Sequence, residues 1–244
     1  MNLSPSIKPE SLQSKTSSDF RWLDADAYLF DIDGTLLVTK DLVHWNALNT
    51  AMLEVYGVDT TIEGIAYHGK TDLGILRAAL ERMGITGKAF EDKLPQALDA
   101  ICRDVASHAD EIVPHVCPSI SEVLNKLKDC GKLLGVASGN LESVGWKKIE
   151  KAALRDFFTF GCFSDQNEMR SDIFRAGVSE VKRRLGNNAK TYFVGDTPED
   201  VKAARYADAP IIAVGTGIFT ADKLAANSPD LCISCCTDLL SIKS

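Results

Sequence analysis

Two carboxylates stand two residues apart directly after a short apolar run. Asp31 and Asp33 follow residues 27–30, and Gly34 then permits a turn. An apolar run of this length bounded by turn residues predicts a buried strand of a parallel sheet, where reacting groups gather at the carboxyl ends of the strands. Two acids at such a place are costly unless a positive group lies between them. The simplest such group is a hard cation such as Mg²⁺, held by oxygen ligands and shared with a phosphate.

Two other interpretations of this pair are an acidic turn and a calcium-binding loop. A loop of the EF-hand type needs glycine at its sixth position and glutamate at its twelfth. Counted from Asp31, these positions hold Leu36 and Leu42, so the sequence excludes the calcium loop. The acidic turn remains as the alternative to a catalytic pair.

Residues 31–35 follow the pattern DxDGT, which resembles the first motif of the haloacid dehalogenase-like superfamily, whose members are mostly phosphatases. The resemblance implies that Asp31 attacks phosphorus and forms an aspartyl-phosphate. It implies that Asp33 protonates the leaving alcohol and then activates the water that releases phosphate. Thr35, within the same motif, is a candidate phosphate-binding residue. The dehalogenases of the superfamily lack an acid at the second position, so Asp33 disfavours a dehalogenase.

Composition narrows the class of protein. The 244 residues carry a formal net charge of −7 without a basic run, which argues against nonspecific binding to nucleic acid. No stretch approaches the roughly 20 apolar residues of a membrane span. Seven cysteines without framework spacing predict reduced thiols in a cytoplasmic protein. Cys232, Cys235 and Cys236 form CxxCC in a predicted strand, but no second ligand pair follows, which disfavours a zinc site.

The chain divides into a tail, a core and an insert. The N-terminal residues are rich in Ser, Pro and Lys and have no apolar signal segment, which predicts a disordered tail. Helical periodicity over 41–56, 73–83 and 90–106, with no convincing strand, predicts a helical insert. The predicted bounds are 1–20 for the tail, 21–38 and 116–244 for the core, and 39–115 for the insert.

The helical insert resembles the cap of the phosphoglycolate phosphatase-like branch. Such caps close over the site, exclude water and select the substrate. The segment Gly69-Lys70-Thr71-Asp72 also resembles that branch and would place Lys70 near an anionic group of the substrate. The alternative is that Thr71 and Asp72 only cap a helix. The four histidines form no metal-ligand pattern, and we expect them to be structural or exposed.

The second candidate motif follows a predicted strand at 132–137. Ser138, Gly139 and Asn140 come next and open a helix. The resemblance implies that the Ser138 hydroxyl binds phosphoryl oxygens, while the N–H groups of Gly139 and Asn140 favour an anion at the helix N-terminus. The alternative is an ordinary Ser or Asn helix cap.

The third motif of the superfamily requires a lysine that neutralises the nucleophile and the phosphate. On the predicted helix 141–154, Lys148 shares a face with apolar residues, whereas Lys147 lies on the solvated face. Lys148 is therefore the first candidate and Lys147 the second. Many relatives carry a Lys-Pro-Asp element further along, where this chain has Arg170-Ser171-Asp172. Arg170 is the third candidate, although its planar fork asks for different geometry from lysine.

The fourth candidate motif follows a predicted strand at 191–194. Residues 195–200 match GDxxxD, and the resemblance implies that Asp196 ligates Mg²⁺ directly while Asp200 does so directly or through water. Asp31 and the backbone carbonyl of Asp33 would complete the metal site. The alternative is a helix start decorated with acids for its dipole, which explains Asp200 better than Asp196.

Together, the four motifs imply an α/β fold: a doubly wound, Rossmann-like parallel sheet with an α-helical cap inserted after the first strand. They imply a Mg²⁺-dependent phosphomonoester hydrolase acting on a small phosphorylated metabolite, with phosphoglycolate as the example that the resemblance offers. The alternatives are a sugar phosphomutase and a non-catalytic phosphate-binding protein on the same fold. The predicted oligomeric state is a monomer or a homodimer, without nucleic-acid or membrane partners.

Overall fold

The computed structural model describes residues 20–165 and 167–242. The predicted disordered tail lies outside the described residues except for Phe20, whose ring stacks on Tyr192 with 5.0 Å between centroids. Among the described residues, no helix is both long enough and apolar enough to cross a membrane. The seven cysteines are free.

Six parallel strands form the central sheet, in the order β5-β4-β1-β6-β7-β8. A separate antiparallel pair joins β2 to β3. This architecture confirms the predicted doubly wound α/β core. The strands are β1 (Ala27–Phe30), β2 (Leu37–Thr39), β3 (Pro114–Val116), β4 (Leu133–Ala137), β5 (Phe160–Cys162), β6 (Thr191–Gly195), β7 (Ile211–Val214) and β8 (Leu231–Ile233).

The described residues contain ten α-helices. They are α1 (Val43–Tyr56), α2 (Asp72–Glu81), α3 (Lys88–Glu91), α4 (Leu94–Ser107), α5 (Ile120–Asp129), α6 (Glu142–Lys151), α7 (Arg170–Leu185), α8 (Pro198–Tyr206), α9 (Ala221–Ala225) and α10 (Thr237–Ser241). Of these, α1 to α4 form the insert, and α5 to α10 belong to the core.

The sheet buries both faces, as a parallel sheet between helices must. Side chains of β1 alternate between two apolar clusters: Tyr28 and Phe30 belong to one, Ala27 and Leu29 to the other. This alternation follows from the two-residue period of a strand. Because β1 lies between β4 and β6, the loops after these three strands meet at one edge of the sheet. The fold therefore brings the first, second and fourth motifs together.

Helices α1 to α4 form a third apolar cluster of their own. Leu141, which precedes the core helix α6, and Val144 of α6 complete this cluster and are fully buried in it. We call the segment that carries α1 to α4 the cap. The predicted cap bounds, 39–115, fall within the two strands of the β2–β3 ribbon, which joins the cap to the core.

Three details of secondary structure differ from the prediction. The β2–β3 ribbon was not predicted, because each of its strands has only three residues and shows no alternation that a pattern could detect. The apolar residues of 157–163 predict one continuous strand, but only β5 forms there, since a 3₁₀ turn occupies Arg155–Phe157. The strand predicted at 231–236 ends after β8, because Asp238 accepts the backbone N–H groups of Ser234 and Cys235 before α10.

Candidate active site

Asp31 and Asp196 lie at the carboxyl ends of the neighbouring strands β1 and β6. Both are buried, and the Asp31 N–H donates to the Val194 carbonyl at 2.9 Å. The Thr35 hydroxyl donates to Oδ1 of Asp196 at 3.1 Å. Carboxylate oxygens of Asp31, Asp196 and Asp200 lie within 4.8 Å of one another. The structure thus brings together the acids of the first and fourth motifs, and it places Thr35 on the fourth-motif acid.

Asp33 belongs to a separate polar cluster beside this triad. The Lys148 ammonium contacts both Asp33 oxygens, at 2.9 and 2.8 Å, and donates to Oδ1 of Asn140 at 2.9 Å. Asn140 donates to Asp33 at 2.8 Å and to the Ser138 hydroxyl at 2.9 Å. Burial would raise the pKa of Asp33, but Lys148 and the hydrogen bonds outweigh it and hold that pKa below its ordinary value. Asp33 is therefore ionised at neutral pH.

Lys148 points inward, as its position on the helix predicts, with its side chain 5% exposed. Its ammonium pairs with Asp33 rather than with Asp31. Lys147, the neighbouring candidate, instead pairs with Glu150 on the exposed face of α6.

The cation beside Asp31 is Arg170. Its Nη2 lies 2.8 Å from Oδ1 of Asp31, and its Nε donates to Oδ1 of Asp200 at 2.6 Å. Arg170 opens α7 and is itself buried, with its side chain 9% exposed. Its Nη2 has no aligned hydrogen-bond acceptor among the described residues. The arginine that the sequence ranked third thus lies beside Asp31, where its guanidinium spans the carboxylates of Asp31 and Asp200.

Asp200 has its two oxygens engaged in different interactions. One accepts from Arg170, and the other accepts from the N–H and the hydroxyl of Thr197, at 3.0 and 2.7 Å. Thr197 in turn accepts from the Asp200 N–H, which makes a reciprocal capping box at the start of α8. Asp200 therefore caps α8, as one interpretation of the motif predicted, and also belongs to the acidic triad.

The charge balance of the triad fits a divalent cation. If all three buried carboxylates are ionised, the one guanidinium beside them leaves an excess of two negative charges. Burial, Asp200 and Asp33 raise the pKa of Asp31 to about 7 against the opposing effect of Arg170. Burial, Asp200 and Asp31 raise the pKa of Asp196 to about 9. Oxygen ligands with this excess of negative charge suit a hard cation such as Mg²⁺.

The Asp196 carboxylate fits into space that is free only because Gly34 and Gly217 have no side chains. A Cβ on Gly34 or on Gly217 would overlap Oδ2 of Asp196. The Thr216 hydroxyl donates to the Gly34 carbonyl at 2.6 Å and joins the two loops behind the carboxylate. The loop 215–217 carries no local sequence signal for this role, because only the three-dimensional packing places it against Asp196.

Replacing Gly217 with alanine is expected to weaken Mg²⁺ binding by about 10- to 100-fold, the usual cost of disturbing the support of a metal ligand. Its backbone φ is not positive, so the effect comes from displacement of Asp196 and not from backbone strain. Isothermal titration with Mg²⁺ measures the change. Gly74→Ala on α2 is the matched control and should bind Mg²⁺ as the wild type does. Unchanged affinity in G217A would show that Asp196 does not hold the metal.

His44 enters the site from the cap, although the sequence analysis expected it to be structural or exposed. Its Nδ1 lies 3.2 Å from the Lys148 ammonium and its Nε2 lies 3.1 Å from Oδ2 of Asp72. Asp72 also accepts the Leu141 N–H at 2.8 Å. A lone histidine on a helix gives no signal for such a role, because its partners are 28 and 104 residues away.

The loop 69–72 is the point where the cap meets the core. The Asp72 N–H donates to the Gly139 carbonyl at 2.8 Å, and a Cβ on Gly139 would lie 2.5 Å from the Lys70 carbonyl. The Thr71 hydroxyl accepts from the Gly74 N–H, so Thr71 caps α2. The Lys70 side chain is exposed and lines the mouth of the cavity. Gly139 therefore permits close contact with the cap in addition to opening the predicted anion site.

A cavity of about 500 Å³ lies between the core and the cap and is lined by residues of both. The motif residues Asp31, Asp33, Ser138, Lys148 and Asp196 line its core end, and the cap covers the other end. A cavity of this size with charged groups at one end has the form of a small-molecule site.

A family model matches most of the chain. It describes the haloacid dehalogenase-like hydrolases and matches residues 28–214. The chain belongs to this family. Membership confirms the superfamily that the DxDGT motif indicated.

Two curated relatives of this haloacid dehalogenase-like hydrolase are similar over most of their length. A phosphoglycolate phosphatase of Agrobacterium fabrum is 29% identical over 213 residues, which cover 84% of this chain and 86% of the relative. The pyrophosphatase PpaX of Bacillus velezensis is 27% identical and covers 88% of this chain and 95% of its own length. These relatives confirm the predicted branch and the enzyme class, a phosphatase.

Solved structures of the family share the fold. The crystal structure of a predicted phosphoglycolate phosphatase from Haemophilus somnus aligns with a TM-score of 0.66 at 17% identity, covering 90% of this chain and 98% of that chain. The likeness includes the segment that forms the cap, since nearly the whole of both chains aligns.

Proposed function

We propose that this haloacid dehalogenase-like hydrolase is a Mg²⁺-dependent phosphomonoester hydrolase that acts on a small metabolite through an aspartyl-phosphate. The observation that carries the proposal is the separation of the two motif acids into different settings. Asp31 faces Arg170 in the acidic triad, whereas Asp33 faces Lys148 and Asn140. Carboxylates in different settings can take different chemical roles.

In the proposed first step, an oxygen of Asp31 attacks phosphorus and the bond from phosphorus to the leaving alcohol breaks. The Asp33 carboxyl supplies the proton that the alcohol oxygen needs. In the second step, Asp33 takes a proton from water, and the resulting hydroxide attacks the aspartyl-phosphate. Inorganic phosphate leaves, Asp31 is restored as a carboxylate, and Asp33 again carries the proton with which the first step began. Asp33 gives that proton to solvent when the product has left and Lys148 pairs with it again.

The first step requires a protonated Asp33, although Lys148 keeps it ionised in the resting site. A bound phosphate dianion competes for the Lys148 ammonium, because that ammonium lies at the same end of the cavity. Loss of its cation raises the affinity of Asp33 for a proton. Substrate binding thereby prepares the acid for the leaving group.

Charge on the transferring phosphoryl group would be stabilised by several groups. Ser138, the N–H groups of Gly139 and Asn140, and Lys148 form one set, as the second motif implies. The buried Nη2 of Arg170 forms the other, because it lies beside Asp31 and has no aligned acceptor of its own. The third-motif role is thus shared, with Arg170 at the nucleophile and Lys148 at the acid.

Asp31, Asp196 and the backbone carbonyl of Asp33 would hold Mg²⁺, and Asp200 would act directly or through water. When bound, the metal supplies positive charge to the acids and to a phosphate oxygen. Asp200 would have to share oxygens already used by Arg170 and Thr197, which favours the water-mediated contact.

Mg²⁺ affinity is expected to rise with pH between about 6 and 9. The metal must displace protons from Asp31 and Asp196, whose pKa values are raised to about 7 and about 9 without metal. Below these pKa values the carboxyls are protonated and bind the metal weakly. Above them the carboxylates are ionised and can bind it without losing a proton. Titration of activity with Mg²⁺ at several pH values measures the effect. If the Mg²⁺ concentration that gives half of the maximal activity stays constant or rises with pH, the prediction is wrong.

The test of the function is phosphate release from a panel of small phosphomonoesters, with Mg²⁺ and with excess chelator. We expect phosphate release that requires Mg²⁺. We also expect a phosphoenzyme with one phosphoryl group per protein molecule to form before that release, and acid quench detects it. Transfer of the phosphoryl group between positions of a sugar phosphate, dependent on a bisphosphate activator, would identify a mutase instead. Phosphate binding without release from any ester would identify a binding protein.

A further inference from the structure

The proposed function does not identify the substrate. The residues that line the cap end of the cavity indicate what kind of alcohol the phosphate is attached to. Three aliphatic residues that line this end, Leu48, Ile62 and Ile75, are buried in the cap cluster. Trp45 and Tyr67 line it too, with their rings edge to face and 5.5 Å between centroids. These five residues make one part of the cap end apolar and aromatic, although the polar cap residues Asp41, His44 and His68 line the same cavity.

The mouth of the cavity exposes more apolar surface. Val38, Leu42 and Ile218 line it and are 39%, 61% and 56% exposed. Exposed apolar side chains are ordinary when scattered, but a group of them around one opening marks a binding surface. An apolar ligand that enters between them would cover surface that the protein alone leaves in water.

The cationic groups at the cap end are weakly placed for a second anion. Lys40 and Lys70 are exposed at the rim, where solvent and salt screen their charge. His68 packs on the Tyr67 ring at 4.1 Å, and burial lowers the pKa of His68, so it is neutral at pH 7. A two-carbon acid such as glycolate would leave most of the 500 Å³ and all of the aromatic surface without a partner.

We propose that the substrate of this phosphatase is a phosphomonoester whose alcohol carries a flat apolar ring, held at the cap end by Trp45 and Tyr67. The proposal rests on the proposed function and names its substrate class. A polyhydroxylated alcohol of the same size fits this part of the cavity less well, because hydroxyls that face Trp45, Tyr67 and the aliphatic residues would lack hydrogen-bond partners there.

The test compares 2-phenylethyl phosphate with ethyl phosphate, phosphoglycolate and glucose 6-phosphate, all with Mg²⁺. The first two esters have alcohols of similar leaving ability, so a difference between them reports binding of the ring. We expect kcat/KM for 2-phenylethyl phosphate to be at least about tenfold higher than for the other three, since even one methylene in an apolar pocket is worth about 10- to 200-fold. Equal or lower kcat/KM for the ring ester would overturn the proposal.

Variants of the cap locate the effect. Trp45→Ala and Tyr67→Ala should each lower kcat/KM for 2-phenylethyl phosphate by about tenfold and change ethyl phosphate by less than about threefold. Leu53→Ala is the matched control, because Leu53 is a 53% exposed apolar residue of α1 that does not line the cavity. Equal losses on both esters in both aromatic variants would assign these residues a general structural role and overturn the proposal.

A binding measurement separates this inference from the proposed function. If no ester is hydrolysed, the proposed function fails, and calorimetry with 2-phenylethylphosphonate and ethylphosphonate still decides the ring question. At least about tenfold tighter binding of the ring compound supports the proposal. Equal binding of the two phosphonates overturns it.

Discussion

Replacing Asp31 with asparagine is expected to lower kcat by about 10⁴- to 10⁶-fold, the range seen when an enzyme loses its nucleophile. The amide keeps the size of the side chain beside Arg170 but cannot form an acyl phosphate by the same route. Phosphate release measured with saturating Mg²⁺ and acid-quench detection of the phosphoenzyme test the effect together. Residual activity within about 100-fold of the wild type would remove Asp31 from the role of nucleophile.

The same substitution is expected to have the opposite effect on stability when Mg²⁺ is absent. Burial raises the pKa of Asp31 to about 7, so above the unfolded-state pKa its ionisation weakens the folded state, and this cost is complete above about pH 7. Asparagine carries no such cost. Asp31→Asn should therefore melt at a higher temperature than the wild type at pH 8 with chelator, and the gain should shrink toward pH 4. A lower melting temperature at pH 8 would contradict this sign.

Replacing Arg170 with alanine is expected to lower kcat/KM by about 10²- to 10³-fold, as loss of one preorganised donor to a transition state does. It is also expected to cost about 3–5 kcal/mol of stability without Mg²⁺, because the buried carboxylates of Asp31 and Asp200 lose their cation. For a chain of this size each kcal/mol lowers the melting temperature by about 2–4 °C. If the triad holds Mg²⁺ as proposed, the metal should restore part of the stability, because it would supply positive charge to the same acids.

Two variants control the Arg170 experiment. Arg175 lies on the same helix with a side chain 60% exposed, 3.9 Å from Asp172 and 5.5 Å from the centroid of the Tyr206 ring. Both contacts are at the surface, so Arg175→Ala should change stability by less than about 0.5 kcal/mol. Arg170→Lys keeps the charge but not the fork that spans two carboxylates, so it should retain stability better than activity. Full activity in the lysine variant would show that charge alone accounts for Arg170.

The sequence predicted the fold because its strongest signals are local. Buried strands such as β1 and β6 are short apolar runs, and each is followed by a motif whose residues stand at fixed spacing. The helical period also showed correctly that Lys148 points inward. It could not show which carboxylate Lys148 meets, because Asp33 is 115 residues away.

The details that the sequence did not show depend on packing between distant segments. Arg170 was the least favoured of three candidates, because its match to the third motif lacks both the lysine and the proline. His44 carried no local signal, and Gly217 is one glycine among 17. Each acquires its place only when the cap or a later loop packs against the strand ends.

Leu141 and Val144 belong to the core segment but are buried in the cap cluster, and this affects how often the cap opens. Swinging the cap away would return both fully buried side chains to water, at a cost of about 3–6 kcal/mol. An open form would then account for fewer than about one molecule in a hundred before substrate arrives. Capture of substrate would depend on that rare form or on the apolar mouth. Two apolar residues that take no part in the chemistry would thus set the rate of substrate association.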